Sequence, residues 1–482
     1  MLSLRPILQV IGILLLPLGL GMLVPALVDI ALGHPDWQVF VVSSFFTLFV
    51  GFSLFLSTRG AAEALSVRQA FLLTVLAWAI LPAFAGLPLA FSGTALSYTD
   101  AYFEAMSGLT TTGATVLTGL DTAPPGILLW RGILQWLGGV GIIVMAIAVL
   151  PMLRVGGMQL FRTESSETSE KILPRVTQIA GAIVIVYVIL STLCFLSLWL
   201  AGMPAFDALA HAMSTISTAG FSTKDASLGF FDSAAIDFVE IVFMILGALP
   251  FLLYVQIIRG GTLQLWRDDQ VRAFLGLVAG AVAVMTAWLW LAQGFGFFPA
   301  LRYGAFNVVS IITTTGFTTA PFDGWGNFAV VVFFVLIFLG GCAGSSSGGL
   351  KTYRLRILFS LLVINLKRLT QPHAVYRPMF NDRPVPDSVT ASVMAFLLLY
   401  FVSFFVLSFA VALTGPDFIT SVSGVMTALS NTGPGLGPVI GPAGNFQSLP
   451  DAAKGILAFA MMLGRLELMS VLVLLTPGFW RA

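Results

Sequence analysis

The chain contains four short turns that are rich in threonine and serine and that each end on a glycine. The turns are Thr110-Thr111-Thr112-Gly113, Ser217-Thr218-Ala219-Gly220, Thr313-Thr314-Thr315-Gly316 and Ser430-Asn431-Thr432-Gly433. A hydroxyl residue also lies six positions before each glycine, at Ser107, Ser214, Ser310 and Thr427. One such turn carries little information, but four copies at comparable points between long apolar stretches indicate an internal repeat. The chain must therefore fold as four related units.

The backbone of these turns suits a dehydrated cation. Glycine permits conformations that point successive carbonyl groups in one direction. Four such rows of carbonyls around one axis could replace the water shell of an ion. The sequence therefore predicts a cation pore. The candidate filter residues are Thr111, Thr112, Gly113, Thr218, Ala219, Gly220, Thr314, Thr315, Gly316, Asn431, Thr432 and Gly433.

The composition places the repeat in a membrane. Hydrophobic residues make up 58% of the 482 residues and charged residues only 9%, whereas soluble domains carry about 25% charged residues. A helix needs roughly 20 apolar residues to cross a bilayer. Ten stretches qualify, at about 6–29, 38–57, 70–91, 125–150, 176–201, 234–258, 272–293, 327–350, 388–413 and 453–476. The two cysteines give neither a disulfide framework nor a metal-ligand pattern.

The basic residues predict the orientation of the chain. If the N-terminus is cytoplasmic and successive spans alternate, most of the 23 lysine and arginine residues fall in cytoplasmic segments. This distribution follows the positive-inside rule. The segments with the glycine turns then face the outside.

Each glycine turn follows a segment that is too short to cross the membrane, at about 100–112, 206–218, 303–315 and 417–431. A re-entrant helix that returns as an extended strand fits this pattern, because irregular backbone is tolerated at membrane depth where it lines a watery cavity. We therefore expect an all-α integral membrane protein with ten transmembrane helices and four re-entrant pore helices. The expected architecture has four helix–pore loop–helix repeats in a pseudo-fourfold, channel-like arrangement. The divisions are two extra N-terminal helices at 1–69, repeats at 70–150, 175–258, 271–350 and 388–482, and a cytoplasmic link at 351–387.

Two further features recur around the turns. Each stretch after a turn contains a Leu-Gly pair, at Leu137-Gly138, Leu246-Gly247, Leu339-Gly340 and Leu463-Gly464, and small residues allow helices to pack closely. Three short segments begin near an acid, namely Asp100 with Glu104, Asp207 with His211, and Asp417. These acids can stabilise the helix N-terminus through its dipole, attract cations to an outer vestibule, or do both.

Taken together, these residues resemble the superfamily of Trk, Ktr and HKT potassium transporters, and the two extra N-terminal helices resemble its bacterial TrkH type. The resemblance implies a single-chain pseudo-tetramer in which each repeat supplies one filter strand, and a homodimer with one pore per subunit. It also implies that K+ is the transported ion, held at Thr111, Thr112, Thr218, Ala219, Thr314, Thr315, Asn431 and Thr432. In that family, glycine in all four filters accompanies selectivity for potassium over sodium. The fourth turn departs from the other three, because Asn431 replaces a hydroxyl residue and Pro434 follows the glycine.

The stretch 327–350 is interrupted by ten small residues at 340–349. Glycine costs about 1 kcal/mol per residue relative to alanine in a helix, so such a break belongs beside a cavity. The resemblance implies a flexible intramembrane gate at this place, formed here by Gly340, Gly341, Gly344, Ser345, Ser346, Ser347, Gly348 and Gly349. A closely packed helix with serines bonded to nearby carbonyls is the alternative.

Arg465 is an ionisable residue inside the last apolar stretch. Such a residue costs about 2.5–3.5 kcal/mol to insert and is by default a functional candidate. The resemblance implies that it projects into the permeation path below the filter and acts with the gate. A salt bridge with Glu467 is the alternative.

The remaining features argue against an enzyme. The glycine-rich stretches 344–352 and 433–437 lack the strand and the lysine or acid that accompany nucleotide sites. A secondary transporter with a midplane site at its broken helices is the alternative function, but it does not account for four matched turns.

The charged cytoplasmic links at about 151–175 and 351–387 could dock a partner, although solvated charge explains them equally well. The resemblance implies a cytosolic nucleotide-binding regulatory subunit of the TrkA type, so this chain itself needs no cofactor. We expect a multi-pass protein of the bacterial cytoplasmic (inner) membrane, surrounded by lipid, with a cytoplasmic N-terminus and no nucleic-acid partner.

Overall fold

The protein is mainly helical in the computed structural model, which describes residues 3–60, 65–148, 176–258, 260 and 264–481. The first three helices are α1 (Arg5–Gly21), α2 (Leu23–Leu32) and α3 (Trp37–Ser57). Helices α1 and α3 pack closely because two glycines face each other, and a Cβ built on Gly12 would lie 2.8 Å from the Gly51 carbonyl oxygen. This antiparallel pair stands before the repeated units in the chain.

Each of the four units has a long outer helix, a short helix that ends at a glycine turn, and an inner helix. The first unit contains α4 (Val67–Ala85), α5 (Leu87–Phe91), α6 (Tyr98–Leu109) and α7 (Pro125–Ala148). The second contains α8 (Val176–Leu200), α9 (Ala205–Ile216), α10 (Ala234–Ala248) and α11 (Phe251–Ile258), and α12 (Gln264–Arg267) follows it. We call α6, α9 and their equivalents the short helices, and α7, α10 and their equivalents the inner helices.

The third unit contains α13 (Asp269–Leu291), α14 (Phe297–Ile312), α15 (Asn327–Phe338) and α16 (Thr352–Thr370). A two-stranded antiparallel hairpin, β1 (Met379–Phe380) and β2 (Arg383–Pro384), leads to the fourth unit. That unit contains α17 (Asp387–Ala412), α18 (Phe418–Ser430), α19 (Gly437–Ile440), α20 (Asp451–Arg465), α21 (Met469–Leu472) and α22 (Pro477–Arg481). Turns of 3₁₀ helix lie at Leu120–Thr122, Ser227–Phe230, Phe322–Trp325 and Val473–Leu475.

The four units close into a ring. Each inner helix packs against the short helix of the following unit, α7 against α9, α10 against α14, and α15 against α18. The last inner helix, α20, packs against α6 of the first unit and so completes the circle. The four short helices are largely buried inside this ring, whereas the outer helices expose large apolar side chains.

The membrane-spanning helices partly match the sequence-based expectation of ten. Within the described residues, seven helices are long and apolar enough to cross a membrane, and up to nine are if each bent pair counts as one span. The stretch 327–350 forms only the 12-residue helix α15 before the chain leaves the helical path. The predicted cytoplasmic link at 151–175 lies outside the described residues.

Two inner helices are followed by sharp bends. The chain turns by 93° between α10 and α11, and by 107° between α20 and the segment Met469–Leu475. Pro250 lies at the first bend, where it removes a helical hydrogen bond and clashes with the preceding turn. At the second bend Glu467 and Leu468 have positive φ angles of 60° and 42°, which end α20. The stretches 234–258 and 453–476, which the sequence predicts as single candidate spans, are therefore bent pairs that count as spans only when both parts are taken together.

Candidate cation pathway

The four short helices end in the same backbone geometry. The residue two positions before each glycine has a left-handed φ, 53° at Thr111, 51° at Thr218, 58° at Thr314 and 53° at Asn431. The residue just before each glycine donates its N–H to the carbonyl of the hydroxyl residue five positions earlier. These bonds are Thr112 to Ser107 at 2.8 Å, Ala219 to Ser214 at 2.9 Å, Thr315 to Ser310 at 2.9 Å and Thr432 to Thr427 at 3.0 Å. This pattern is the Schellman motif, in which such a bond satisfies the last free carbonyls of a helix. The repeated hydroxyl residue thus marks one fixed position in each helix end.

The left-handed position is conformationally costly in three of the turns. Threonine is β-branched, so a positive φ is a true outlier for Thr111, Thr218 and Thr314. Strain of this kind amounts to about 1–3 kcal/mol per residue and persists only where the surroundings enforce it. Asparagine tolerates the left-handed region better, so Asn431 relieves strain in the fourth turn.

Two left-handed residues alternate with a residue of ordinary backbone conformation in each turn. The glycines have φ angles of 83° at Gly113, 80° at Gly220, 85° at Gly316 and 103° at Gly433. Alternation of left- and right-handed conformations turns successive carbonyls toward the same side of the strand. The turns therefore present rows of carbonyl oxygens.

The glycines also allow the four turns to meet. A Cβ on Gly113 would lie 2.1 Å from the carbonyl oxygen of Ala219, and one on Gly220 would lie 2.0 Å from that of Thr315. A Cβ on Gly316 would lie 2.0 Å from the carbonyl oxygen of Thr432, and one on Gly433 would lie 2.8 Å from that of Thr112. Each turn thus abuts the next in cyclic order, and no side chain fits at any of the four glycines. The candidate filter residues therefore come together in one ring, although Thr112 and Asn431, which are in contact, are 319 positions apart in the sequence.

Two amide side chains hold this ring, Asn431 from within the fourth turn and Gln135 from outside the turns, and Gln135 was not among the residues predicted from the sequence. Gln135 of α7 donates from Nε2 to the Ala219 carbonyl at 2.8 Å and accepts from the Phe221 N–H at 3.2 Å. Asn431 donates from Nδ2 to Thr112 Oγ1 at 3.0 Å and so joins the fourth turn to the first. A glutamine in a helix whose other residues, apart from Arg131, are apolar or glycine was the available signal for Gln135.

A buried ion pair supports the extended segments that follow the first two turns. Arg131 of α7 donates from Nε to Glu104 of α6 at 2.8 Å, and both side chains are buried. Arg131 also donates to the Ser222 carbonyl at 2.8 Å, and Glu104 accepts the Val116 N–H at 2.9 Å. Glu104 is therefore a structural anion and does not face an outer vestibule.

The other polar residues at the short helices are also engaged within the fold. Ser97 caps α6 by accepting the N–H of Asp100 at 3.1 Å, while Asp417 caps α18 by accepting the N–H of Ile419 at 3.2 Å. Asp207 accepts a hydrogen bond from Thr223 Oγ1 at 2.6 Å. His211 is buried with Nε2 2.9 Å from Ser222 Oγ. Capping explains Asp417, whereas Asp207 and His211 hold the strand after the second turn.

The small-residue segment 339–351 lies directly against the second and third turns. Ser346 Oγ lies 2.9 Å from the Ile216 carbonyl and 3.0 Å from that of Gly247, and accepts from Thr218 Oγ1 at 3.2 Å. The Gly348 N–H donates to Thr314 Oγ1 at 2.7 Å. The segment is thus an irregular loop bonded to the underside of the ring, and it is not a closely packed helix.

The glycines of the four Leu-Gly pairs contact different carbonyl groups, and the third unit is the exception. A Cβ on Gly138 would lie 2.0 Å from the carbonyl oxygen of Leu109, and one on Gly464 would lie 2.0 Å from that of Leu429. In the second unit the corresponding carbonyl is that of Ile216, 3.1 Å from a Cβ on Gly247. In the third unit Gly340 meets the carbonyl of Gly348 instead, at 2.1 Å. The loop therefore occupies the place that an inner helix takes in the other units.

Arg465 reaches the same loop from the fourth unit. Its Nη1 donates to the Ser346 carbonyl at 2.8 Å, and the side chain is 4% exposed. Its Nε and Nη2 have no hydrogen-bond partner among the described residues. Glu467 forms an ion pair with Arg354, so the expected alternative partner of Arg465 is engaged elsewhere. A buried positive charge without a paired carboxylate lies beneath the ring.

A cavity lies beside the loop and next to the fourth turn. Its wall includes Ser345, Ser347, Lys351, Asn431 and Arg465. Lys351 Nζ donates to the Ser347 carbonyl, so its cation lies beside the loop as well. Two basic side chains therefore line the space below the ring of carbonyls.

Comparisons with known proteins match this architecture over the whole chain. A family model described as TrkH, a cation transport protein, matches residues 36–478. The Trk system potassium uptake protein TrkI of Halomonas elongata is 43% identical over 99% of this chain and 97% of its own length. The Trk system potassium uptake protein TrkH of Escherichia coli K12 is 40% identical over 99% of both chains. The crystal structure of the potassium transporter TrkH from Vibrio parahaemolyticus superposes with a TM-score of 0.92, with 38% identity and complete coverage of both chains.

Proposed function

The chain belongs to the TrkH family of cation transport proteins, and on that premise we propose that it takes up potassium across the bacterial cytoplasmic membrane. The proposal has one selective pore per chain. The observation that carries it is the closed ring of four glycine turns, which brings four rows of carbonyls around one axis. Relatives with whole-chain similarity are named as potassium uptake proteins. Their family transports ions and is not a family of enzymes.

Carbonyl oxygens of the four turns bind the ion in this proposal. Thr111, Thr112, Thr218, Ala219, Thr314, Thr315, Asn431 and Thr432 supply the oxygens that replace water, and the four glycines set their direction. The ring cannot widen or shrink freely, because each glycine lies against a carbonyl of the next turn. A fixed ring size favours one dehydrated ion over a smaller one. The membrane potential supplies about 2.3 kcal/mol per charge per 100 mV for inward movement.

The loop at 340–349 and Arg465 control passage below this filter. In the conformation described here, the loop is bonded to the second and third turns through Ser346 and Gly348. Arg465 fixes the loop from the opposite side. Movement of the loop must break these bonds, so the conformation represents the closed gate. The glycines at 340, 341, 344, 348 and 349 supply the backbone freedom for that movement.

The finer architecture completes the proposal. Two membrane spans lie at 1–69, and eight spans with four pore helices form the repeats at 70–150, 175–258, 271–350 and 388–482. The broken third inner helix and the two bent pairs are counted among these spans. The N-terminus is cytoplasmic, and two chains form a homodimer in the lipid bilayer. A cytosolic nucleotide-binding subunit of the TrkA type docks on the cytoplasmic links and opens the gate.

Growth on limiting potassium tests the proposed function. A bacterium that lacks its own potassium uptake systems should grow when it produces this chain together with a cytosolic regulatory subunit, and sodium should not replace potassium. Gly316→Ala provides the matched inactive form, because its Cβ would lie 2.0 Å from the Thr432 carbonyl oxygen. Equal growth with the intact chain and with this variant would contradict the proposal. Uptake of an organic solute in place of potassium would instead favour a secondary transporter with a midplane site.

A further inference from the structure

Two ion pairs join neighbouring units at the start of the short helices. Lys454 of α20 donates to Asp100 of α6 at 2.5 Å, which links the fourth unit to the first. Arg302 of α14 donates to Asp237 of α10 at 2.6 Å, which links the second unit to the third. The side chains of Lys454 and Asp237 are 4% and 1% exposed. Both pairs therefore hold charge that is largely removed from solvent.

The two pairs occupy equivalent positions on their inner helices and have reversed charge. Lys454 lies ten residues before Gly464, and Asp237 lies ten residues before Gly247, so both take the same place in their inner helices. Their partners lie near the start of the following short helices, Asp100 in the first turn of α6 and Arg302 in the second turn of α14. The cation is on the inner helix in one pair and on the short helix in the other. The same bridge is thus built twice with opposite polarity.

The two bridged interfaces lie diagonally across the ring. The equivalent inner-helix positions at the other two interfaces are Leu128 and Val330, which are apolar. Only the interfaces between the fourth and first units and between the second and third units are bridged at this position. Opposite polarity prevents one inner helix from pairing with the other short helix, because like charges would then meet.

We infer that the pairs Lys454–Asp100 and Asp237–Arg302 position the first and third short helices, and thereby determine the ion selectivity of the filter. This inference rests on the proposed function. Each short helix leads without a break into its glycine turn, and the turns abut one another at backbone distance. Displacement of a short helix therefore moves a row of filter carbonyls. These four residues are positioning residues, since they do not contact the ion.

Because of the position of the fourth turn, loss of the Lys454–Asp100 pair should affect the filter more than loss of the Asp237–Arg302 pair. A Cβ on Gly433 would lie 2.8 Å from the Thr112 carbonyl oxygen, whereas the other three contacts lie at 2.0–2.1 Å. The ring is therefore loosest between the fourth and first turns, where Lys454–Asp100 forms the outer bridge. Each cation also has a second carboxylate nearby, Asp232 at 3.1 Å from Arg302 and Asp451 at 3.9 Å from Lys454. The closer one compensates more for loss of the main partner, so Arg302 is the better buffered of the two.

Charge reversal with rescue tests this inference. Rubidium-tracer uptake is measured in liposomes that contain the purified protein, with an excess of either potassium or sodium as competitor. Lys454→Asp should reduce the preference for potassium over sodium about tenfold, which corresponds to about 1.4 kcal/mol. The double variant Asp100→Lys with Lys454→Asp restores opposite charges and should recover the preference. Lys454→Met, which removes the charge while keeping the side-chain length, should give an intermediate loss and covers the case in which the reversed variant does not fold.

The controls separate a positioning role from a structural one. Arg272→Asp reverses a cytoplasmic residue that is 61% exposed and pairs with Asp269 at 2.6 Å, and it should leave the preference unchanged. If Lys454→Asp and Lys454→Met lower only the melting temperature and keep the preference, the inference is overturned. If the double variant is as unselective as the single one, it is also overturned. Absence of potassium-selective uptake by the unmodified chain, with its regulatory subunit present, would contradict the proposed function itself.

Discussion

Ser346 is one of the residues that bond the proposed gate to the filter turns, and its replacement by alanine gives a quantitative test. The Ser346 hydroxyl can donate to the carbonyl of Ile216 or Gly247 and accepts from Thr218 Oγ1. A hydrogen bond contributes about 0.5–1.5 kcal/mol net, and a buried group left unpaired costs about 1–3 kcal/mol. The Ser346→Ala change removes these bonds only from the conformation in which the loop contacts the ring. The closed state should therefore lose about 1–2 kcal/mol relative to the open state.

This loss converts directly into transport rate when the closed state predominates. A change of 1–2 kcal/mol shifts a two-state equilibrium by a factor of about 5–30. Rubidium uptake by the purified chain in liposomes, without a regulatory partner, should rise by that factor. The Arg465 bond to the Ser346 carbonyl remains possible in the variant, because it uses the backbone.

Ser345→Ala is the matched control. Ser345 Oγ donates to the Cys342 carbonyl at 2.6 Å, entirely within the loop, so its loss affects both states of the gate alike. Uptake by this variant should equal that of the unmodified chain. Equal uptake by Ser346→Ala, Ser345→Ala and the unmodified chain would refute the assignment of the loop as the gate.

Three further predictions test the charge below the filter, the glycine contacts and the helix cap. Arg465→Ala should raise the uptake rate roughly tenfold or more and weaken its voltage dependence. The reason is that like charges about 8 Å apart repel by about 2 kcal/mol at an effective dielectric constant of ~20. An unchanged rate in patch or flux recordings would show that Arg465 lies outside the ion path. Gly220→Ala should abolish selective uptake, because its Cβ would lie 2.0 Å from the Thr315 carbonyl oxygen. Gly276→Ala is the control and should transport normally, because its Cβ would have no atom within 4 Å. Equal activity of the two variants in the liposome assay would disprove the ring contact. Asp417→Ala should reduce thermal stability by about 0.5–2 kcal/mol at neutral pH through loss of the helix cap, as measured by thermal unfolding. The side-chain hydrogen bond to Thr420 and the backbone N–H groups hold the pKa of the Asp417 carboxyl below its usual 3.8. The stabilisation by the cap is therefore present above pH 3.8 and is lost as the pH falls through the lower pKa of the folded state. A destabilisation by Asp417→Ala that persists in strong acid would argue against the cap.

The sequence revealed the repeated units because their requirements are local. A left-handed turn at membrane depth needs glycine at each of four positions, and a re-entrant helix must be shorter than a span. The short segment expected at about 100–112 is the helix Tyr98–Leu109 followed by its turn. The irregular loop at 340–349 was also visible, because ten small residues in succession cannot form a stable helix.

The contacts that hold the units together were not visible in the same way. Gln135 and the Ala219 carbonyl are 84 residues apart, and Lys454 and Asp100 are 354 residues apart. No local rule pairs such residues, and a single chain carries no information on which of many charges meet. Pro250 was visible, but proline is tolerated in many membrane helices, so the bend of 93° could not be read from its presence.

Selective uptake through the ring of four glycine turns is the central claim, and Gly113→Ser tests it most directly. Purified protein in liposomes, supplied with the regulatory subunit if the gate is closed, should take up rubidium tracer that excess potassium blocks and excess sodium does not. A Cβ at Gly113 would lie 2.1 Å from the Ala219 carbonyl oxygen, so the variant should lose this discrimination while the Gly276→Ala control keeps it. A Gly113→Ser variant that folds and retains the same preference for potassium over sodium would contradict the account.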